Sequence, residues 1–182
     1  MPAYLLLVVA ILSRVLLAAF PHPEWFNFTA VGGALLFFGA RRSWSEMLAP
    51  LAAFMATDYF LTTAVYAYPF RWQDYTITWT WYLMAMLLGH ILLHARTSFV
   101  RVGAGVVLGP TSFFAVSNYA VWMGSAMYPH NASGLAACYA AGLPFYRNDL
   151  ISTALVAGLA FGVPALVSHL KGAEPVPVTM RK

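Results

Sequence analysis

The sequence predicts an all-α integral membrane protein, a polytopic bundle of six transmembrane helices. Of 182 residues, 61% are hydrophobic and only 9% are charged. The apolar runs recur from one end of the chain to the other, and each is bounded by charge, proline or an aromatic cluster. A mean hydropathy of +0.70 exceeds what the surface of a small water-soluble domain could carry, so lipid must be the solvent. Residues 1–171 read as a single transmembrane domain, and residues 172–182, with Pro175 and Pro177, as a short disordered cytoplasmic tail.

The first span is Tyr4–Phe20. Its Ala18 and Ala19 loosely resemble a signal-peptide cleavage site, but no lysine or arginine precedes the apolar core and Arg14 interrupts it, so it reads as a retained helix. The second, Thr29–Ala40, is too short for a hydrocarbon core of about 30 Å at a rise of about 1.5 Å per residue. Glu46–Ala64, Ile77–Ala95, Phe99–Gly124 and Asp149–Leu170 complete the six. Ala132–Leu143, lying between Pro129 and Pro144, is expected as a short interfacial or re-entrant helix before the last span. Small residues four apart, at Ala49 and Ala53, Gly105 and Gly109, and Gly158 and Gly162, are expected to pack helices together inside the bundle.

Six spans put both termini on one side. Arg41, Arg42, Arg96, Arg101, Lys171, Arg181 and Lys182 share that side, while Arg71 and Arg147 lie on the other. This asymmetry predicts cytoplasmic termini and an outer face carrying the aromatic loops Pro21–Phe28, Val65–Thr76 and Ser125–Asn148.

Several functions are disfavoured by what the chain lacks. The net charge of +4 comes from residues scattered over short loops with no basic stripe, which argues against a nucleic-acid partner. There is no phosphate-binding glycine loop and no zinc spacing. The lone Cys138 has no ligand or redox partner near it in sequence and reads as a packed thiol. His90 and His94, four apart, lack an acidic or cysteine companion, and hydrogen bonding at the inner surface explains them better than a metal. No nucleophile and base, paired carboxylates or cofactor signature points to an enzyme.

The polar residues at membrane depth are the candidates for binding. Arg14 in the first span and Asp58 in the third are expected at a similar depth near the outer surface; charges there face the bundle interior. A structural ion pair and a ligand role both stay open for them. The segment Pro21–Ala30 mixes His22, Asn27 and Thr29 with Trp25, Phe26 and Phe28. Thr29 is positioned to cap the second helix. An uncovered helix N-terminus there could meet a carboxylate or phosphate, with Asn27 and Thr29 adding hydrogen bonds and Trp25, Phe26 and Phe28 covering the bound molecule. An aromatic belt with an ordinary cap is the alternative. Asn118 and Trp122 lie one turn apart near the outer end of the fifth span, where an amide pins a neighbouring helix or binds a ligand. Tyr128, His130, Arg147, Asn148 and Asp149 add polar groups to that side, with Asp149 a candidate cap for the sixth helix.

Phe20-Pro-His-Pro, Asn27-Phe-Thr-Ala-Val-Gly32, Leu36-Phe-Phe-Gly39, Leu48-Ala-Pro-Leu-Ala-Ala53 and Asp58 form one set of motifs; Ser117-Asn-Tyr-Ala-Val-Trp122, Tyr128-Pro129, Gly134-Leu135, Cys138-Tyr139 and Pro144-Phe145 form another. Through them the chain resembles a family of bacterial membrane proteins described only as transport proteins, distantly similar to the substrate-binding S components of energy-coupling factor (ECF) vitamin transporters. The resemblance covers most of the chain outside residues 65–110. It implies a six-helix, ECF S-component-like subunit of the bacterial inner membrane that holds a small-molecule substrate near the outer surface, beneath the loop joining the first two helices. It also implies a transmembrane coupling protein and cytoplasmic ATPases as partners. The chain departs from that pattern at Ala10, followed four residues on by Arg14, in the Val65–Ile77 loop, and at Arg147-Asn-Asp149.

The expected function is therefore membrane transport: substrate capture for uptake of a small organic nutrient such as a vitamin or precursor, with no cofactor. The expected substrate-binding residues are Arg14, Asn27, Phe28, Thr29, Asp58, Asn118 and Trp122. The alternative is a structural or assembly subunit of a larger membrane complex, for which packing motifs and aromatic belts suffice.

Overall fold

A computed structural model describes residues 1–20 and 23–172. The expected tail, beyond Gly172, lies outside the described residues, as do Pro21 and His22 of the first loop. Among the described residues the chain is all helical: α1 Pro2–Ala19, α2 Val31–Arg41, α3 Leu48–Phe60, α4 Thr76–Leu93, α5 Phe99–Gly124 and α6 Ala132–Gly172. Short 3-10 turns, Trp44–Glu46 and Trp72–Tyr75, lead into α3 and α4, and a π-helical turn, Leu61–Val65, continues α3. With these extensions five of the helices are long and apolar enough to cross a membrane, and α2 is the short one.

α1 is apolar on every side. Ala3, Leu7 and Ala10 are buried, yet Leu5, Val8, Val9, Leu12 and Leu16 are exposed on its other face. A helix that is hydrophobic all round belongs in an apolar solvent. α2 is the opposite case: every residue from Val31 to Ala40 is buried, and it packs against α1, α4, α5 and α6. At about 16 Å it is too short to span, and its backbone groups are shielded by protein rather than lipid.

Glycine makes that central position possible. A Cβ on Gly39 would fall 1.8 Å from the Met86 carbonyl oxygen, and one on Gly89 would fall 2.1 Å from that of Leu36. The backbones of α2 and α4 therefore touch where they cross, a contact only glycine permits. Gly33 makes room in the same way for Val156 and Ala157 of α6. The small pairs singled out in the sequence behave differently. Gly105 abuts the Leu36 side chain, but Gly109, Gly158 and Gly162 have nothing within 4 Å of a built Cβ, and Ala49 is exposed. The expectation that all three pairs pack inside the bundle is corrected: Gly158 and Ala49 lie on outward faces, because α2 occupies the centre and meets its neighbours through its own glycines.

The separate interfacial helix before the last span is also corrected. Residues 132–172 form one helix of 41 residues that runs through Pro144 and Pro164. Proline inside a helix forfeits one backbone bond and costs about 3 kcal/mol, but α5 braces the segment ahead of Pro144. The Tyr139 hydroxyl donates to the Ala115 carbonyl at 2.6 Å, and the Cys138 thiol donates to the Asn118 carbonyl at 3.3 Å. A helix of this length measures about 60 Å, so part of it extends beyond a hydrocarbon core of about 30 Å. It follows that Asp149 does not cap a helix; it sits in the middle of one. Asn131 is the cap, its Oδ1 accepting from the Gly134 N–H at 2.9 Å.

Candidate functional site

The polar residues gather at the end of the bundle that carries the segments 23–30, 65–76 and 125–131. Arg14, on the penultimate turn of α1, donates from Nη2 to Asp58 Oδ1 at 2.5 Å. The indole of Trp79 on α4 donates to the other carboxylate oxygen at 2.9 Å. Asp58 is 1% exposed, so both of its oxygens need these partners. The pair couples α1 to α3, and Trp79 adds α4. Arg14 is not used up by this bridge: its Nη1 is buried and has no hydrogen-bond partner. A buried donor without an acceptor is costly, and the Arg14 side chain borders open space.

That space is a set of adjoining cavities. One of about 250 Å3 is bordered by Arg14, Asn27, Thr29, Asp58, Tyr82 and Asp149. A second, of about 190 Å3, lies between Arg14, Thr29, Tyr66 and the loop residues Trp25, Phe26 and Asn27. A third, of about 170 Å3, lies between α5 and α6 and is bordered by Asn27, Ser117, Asn118, Tyr146 and Asp149. Asn27 borders all three. Its backbone is left-handed, with φ of 60°, a conformation that asparagine tolerates better than most residues. This turn projects the first loop over the cavities.

The loop is fastened from two helices. The Asn148 amide on α6 donates to the carbonyls of Glu24 at 2.7 Å and Phe26 at 3.0 Å. Ser13 on α1 accepts from the Ala30 N–H at 3.1 Å. Thr29 is therefore not the cap of α2: Ala30 occupies that position without a side-chain bond, and Ser13 satisfies its N–H from a neighbouring helix. The Thr29 side chain is left free to border the two cavities nearest Arg14.

The 65–76 loop folds inward as well. Phe70 clusters with Tyr75 and Trp79, with ring centroids 5.2 and 6.3 Å away, and the Tyr75 hydroxyl pairs with Thr62 Oγ1. Tyr66 and Tyr75 thereby reach the cavity walls, as do Trp81 and Phe113, whose rings lie 4.8 Å apart. The Trp81 indole is fixed by the Gly109 carbonyl at 3.1 Å.

Of the residues expected to bind substrate, Arg14, Asn27, Thr29 and Asp58 meet around one cavity, and Asn118 borders the adjoining one. Asn118 also donates to the Phe114 carbonyl at 2.8 Å and its amide lies against Gly142, so it packs α5 on α6 too. Phe28 and Trp122 border none of these cavities. Phe28 packs against Trp25, and the Trp122 indole donates to the Pro129 carbonyl at 2.9 Å, tying down the turn between α5 and α6. Sequence reasoning missed Tyr75, Trp79, Trp81, Tyr82 and Asp149 as members of the site. For Asp149 the signal was present, a carboxylate in an apolar helix, but it was absorbed by the assumption that a helix began there.

At the other end of the bundle His90 and His94 stack at 4.3 Å, and each places Nδ1 3.3 Å from a carbonyl at the end of α2, Gly39 and Ala40. They satisfy carbonyls that α2 leaves unpaired at its terminus. Among the described residues no three histidine, cysteine or acidic side chains come together as a metal would require.

The model of a family of unknown function, DUF6580, matches residues 1–175. The chain belongs to this family. No curated protein and no solved structure matches it. Membership in DUF6580 therefore brings no assigned chemistry with it.

Proposed function

We propose that this DUF6580 protein is a substrate-capture subunit for membrane transport, which binds a small organic solute in the cavity around Asn27 and performs no covalent chemistry on it. The observation that carries this reading is that Arg14, Asn27, Thr29 and Asp149 converge on that cavity, with one Arg14 guanidinium nitrogen, Nη1, buried and without a partner. A small shift of the guanidinium would let an acceptor on an occupant satisfy it. Aromatic walls with a few converging polar groups are the usual make-up of a small-molecule site. A loop fastened across the site by Asn148 and Ser13 gives it a cover.

In this reading the loop-rich end faces outward and both termini are cytoplasmic, in keeping with the distribution of arginine and lysine. The membrane is the bacterial inner membrane, and the arrangement is akin to that of S components, with a coupling protein and ATPases supplied by other chains. A second reading, a structural or assembly subunit, draws on Gly158 of α6, where a built Cβ meets nothing within 4 Å; a face with small residues accepts a partner helix closely.

Native mass spectrometry of the protein, gently extracted from its own membrane, separates the two. A bound small molecule that is lost on Asn27→Gly, with the protein still folded, is the expected result. Partner subunits with no small molecule would favour the assembly role.

A further inference from the structure

The walls of the cavity do not balance in charge. They hold one arginine, Arg14, and two aspartates, Asp58 and Asp149. Arg14 and Asp58 neutralise each other through their ion pair. Asp149 is left over. It is 9% exposed, and among the described residues no arginine, lysine or histidine forms a salt bridge with it. Its side chain has one hydrogen bond there, a long one of 3.4 Å from Thr153 Oγ1. Arg71 and Arg147 are exposed and border none of the cavities that meet at Asn27. A buried carboxylate without a counter-charge is driven to take up a proton, and a cation brought against it favours the ionised form instead.

The first turn of α2 lies beside this carboxylate, since a Cβ built on Gly32 would be 3.5 Å from Asp149 Oδ1. The positive end of a helix dipole favours the ionised form but supplies only about half a charge. It also means that the protein's own carboxylate lies close to the start of α2, where the sequence suggested a ligand's carboxylate or phosphate. An anionic occupant would be repelled there. Trp81 and Phe113, both on the same cavity wall, present rings of the type that attract cations.

Building on the capture reading above, we propose that the solute carries a positive charge, received by Asp149 against the rings of Trp81 and Phe113, and a hydrogen-bond acceptor that meets the Arg14 guanidinium. The substrate class is a small organic cation or a protonated amine with a polar substituent. Asp149 supplies the missing half of an ion pair, while Arg14, held in place by Asp58, orients the molecule.

The test uses the full chain in nanodiscs and three probes of similar size: benzyltrimethylammonium, benzyl alcohol and benzoate. Thermal protection and binding are measured at millimolar concentrations. The cation is expected to protect, benzoate to have no effect, and Asp149→Asn to weaken binding of the cation by at least about tenfold. The ranking of the three probes on the unmodified protein needs no variant, so a poorly folding Asp149→Asn does not decide the matter. Benzoate or benzyl alcohol binding as tightly as the cation would overturn the charge assignment, as would a folded Asp149→Asn with unchanged affinity for the cation. If either of those probes protects and Asn27→Gly abolishes the protection, capture stands and the cationic substrate falls. Protection by none of the three overturns both.

Discussion

Replacing Asp58 with leucine would strand two groups at once. Arg14 would lose its counter-ion, leaving Nη1 and Nη2 both without an acceptor, and the Trp79 indole would lose the oxygen that now lies 2.9 Å away. Breaking a buried ion pair from one side costs about 3–5 kcal/mol. The Arg14 side chain keeps 18% of its exposure, which favours the lower end, while the orphaned indole adds about 1 kcal/mol. A net loss of about 4 kcal/mol is expected. At about 2–4 °C per kcal/mol for a chain of this size, the midpoint of thermal unfolding should fall by about 8–16 °C. Arg14→Leu together with Asp58→Leu removes both charges, leaves only the indole unpaired, and should recover most of the loss. Unfolding in nanodiscs, followed by near-UV circular dichroism, measures the series of both single variants and the double. If Asp58→Leu is as stable as the unmodified protein, or the double variant is no better than the worse single one, the pair is not the lock between α1 and α3 described here.

At the crossing of α2 and α4, Gly39→Ala drives a methyl into the Met86 carbonyl, 1.8 Å from its oxygen, and should destabilise by about 1–3 kcal/mol; Gly158→Ala, with open space around it, should stay within about 0.5 kcal/mol. The same unfolding assay reads both. Asn148→Ala removes both bonds that hold Glu24 and Phe26, so amide hydrogen exchange of residues 24–28 should speed up while that of α2 stays slow. Asn27→Ala should lower stability more than Asn27→Gly, because only glycine adopts a φ of 60° freely; equal melting temperatures for the two would refute strain at that turn. Under the proposed orientation, cysteines at Ser43 and Thr97 should resist an impermeant thiol reagent in intact cells and one at Gln73 should react. The reverse pattern would turn the cavity to the cytoplasm.

The all-α class and the six main apolar runs were legible in the sequence alone, although the separate short helix expected before the last span was not a separate element. A helix advances by a constant rise, so the length of an apolar run converts directly into whether it can span, and the same count marked α2 as too short. The sequence also singled out Arg14 and Asp58, because a charge in an apolar run stands out without any knowledge of neighbours. Only the tertiary structure decided which helices meet. Whether Pro144 ends a helix depends on the hydrogen bonds that Tyr139 and Cys138 make to α5, and such partners are not local in sequence. The placing of Asp149 beside Asn27 and the first turn of α2 depends on how α6 packs on α2, where Gly33 leaves room for Val156. Apolar runs in lipid lack the polar and apolar faces that reveal helix orientation in a soluble protein, because both the core and the solvent are hydrophobic. The composition of these helices was therefore legible, but their orientation had to come from the contacts between them.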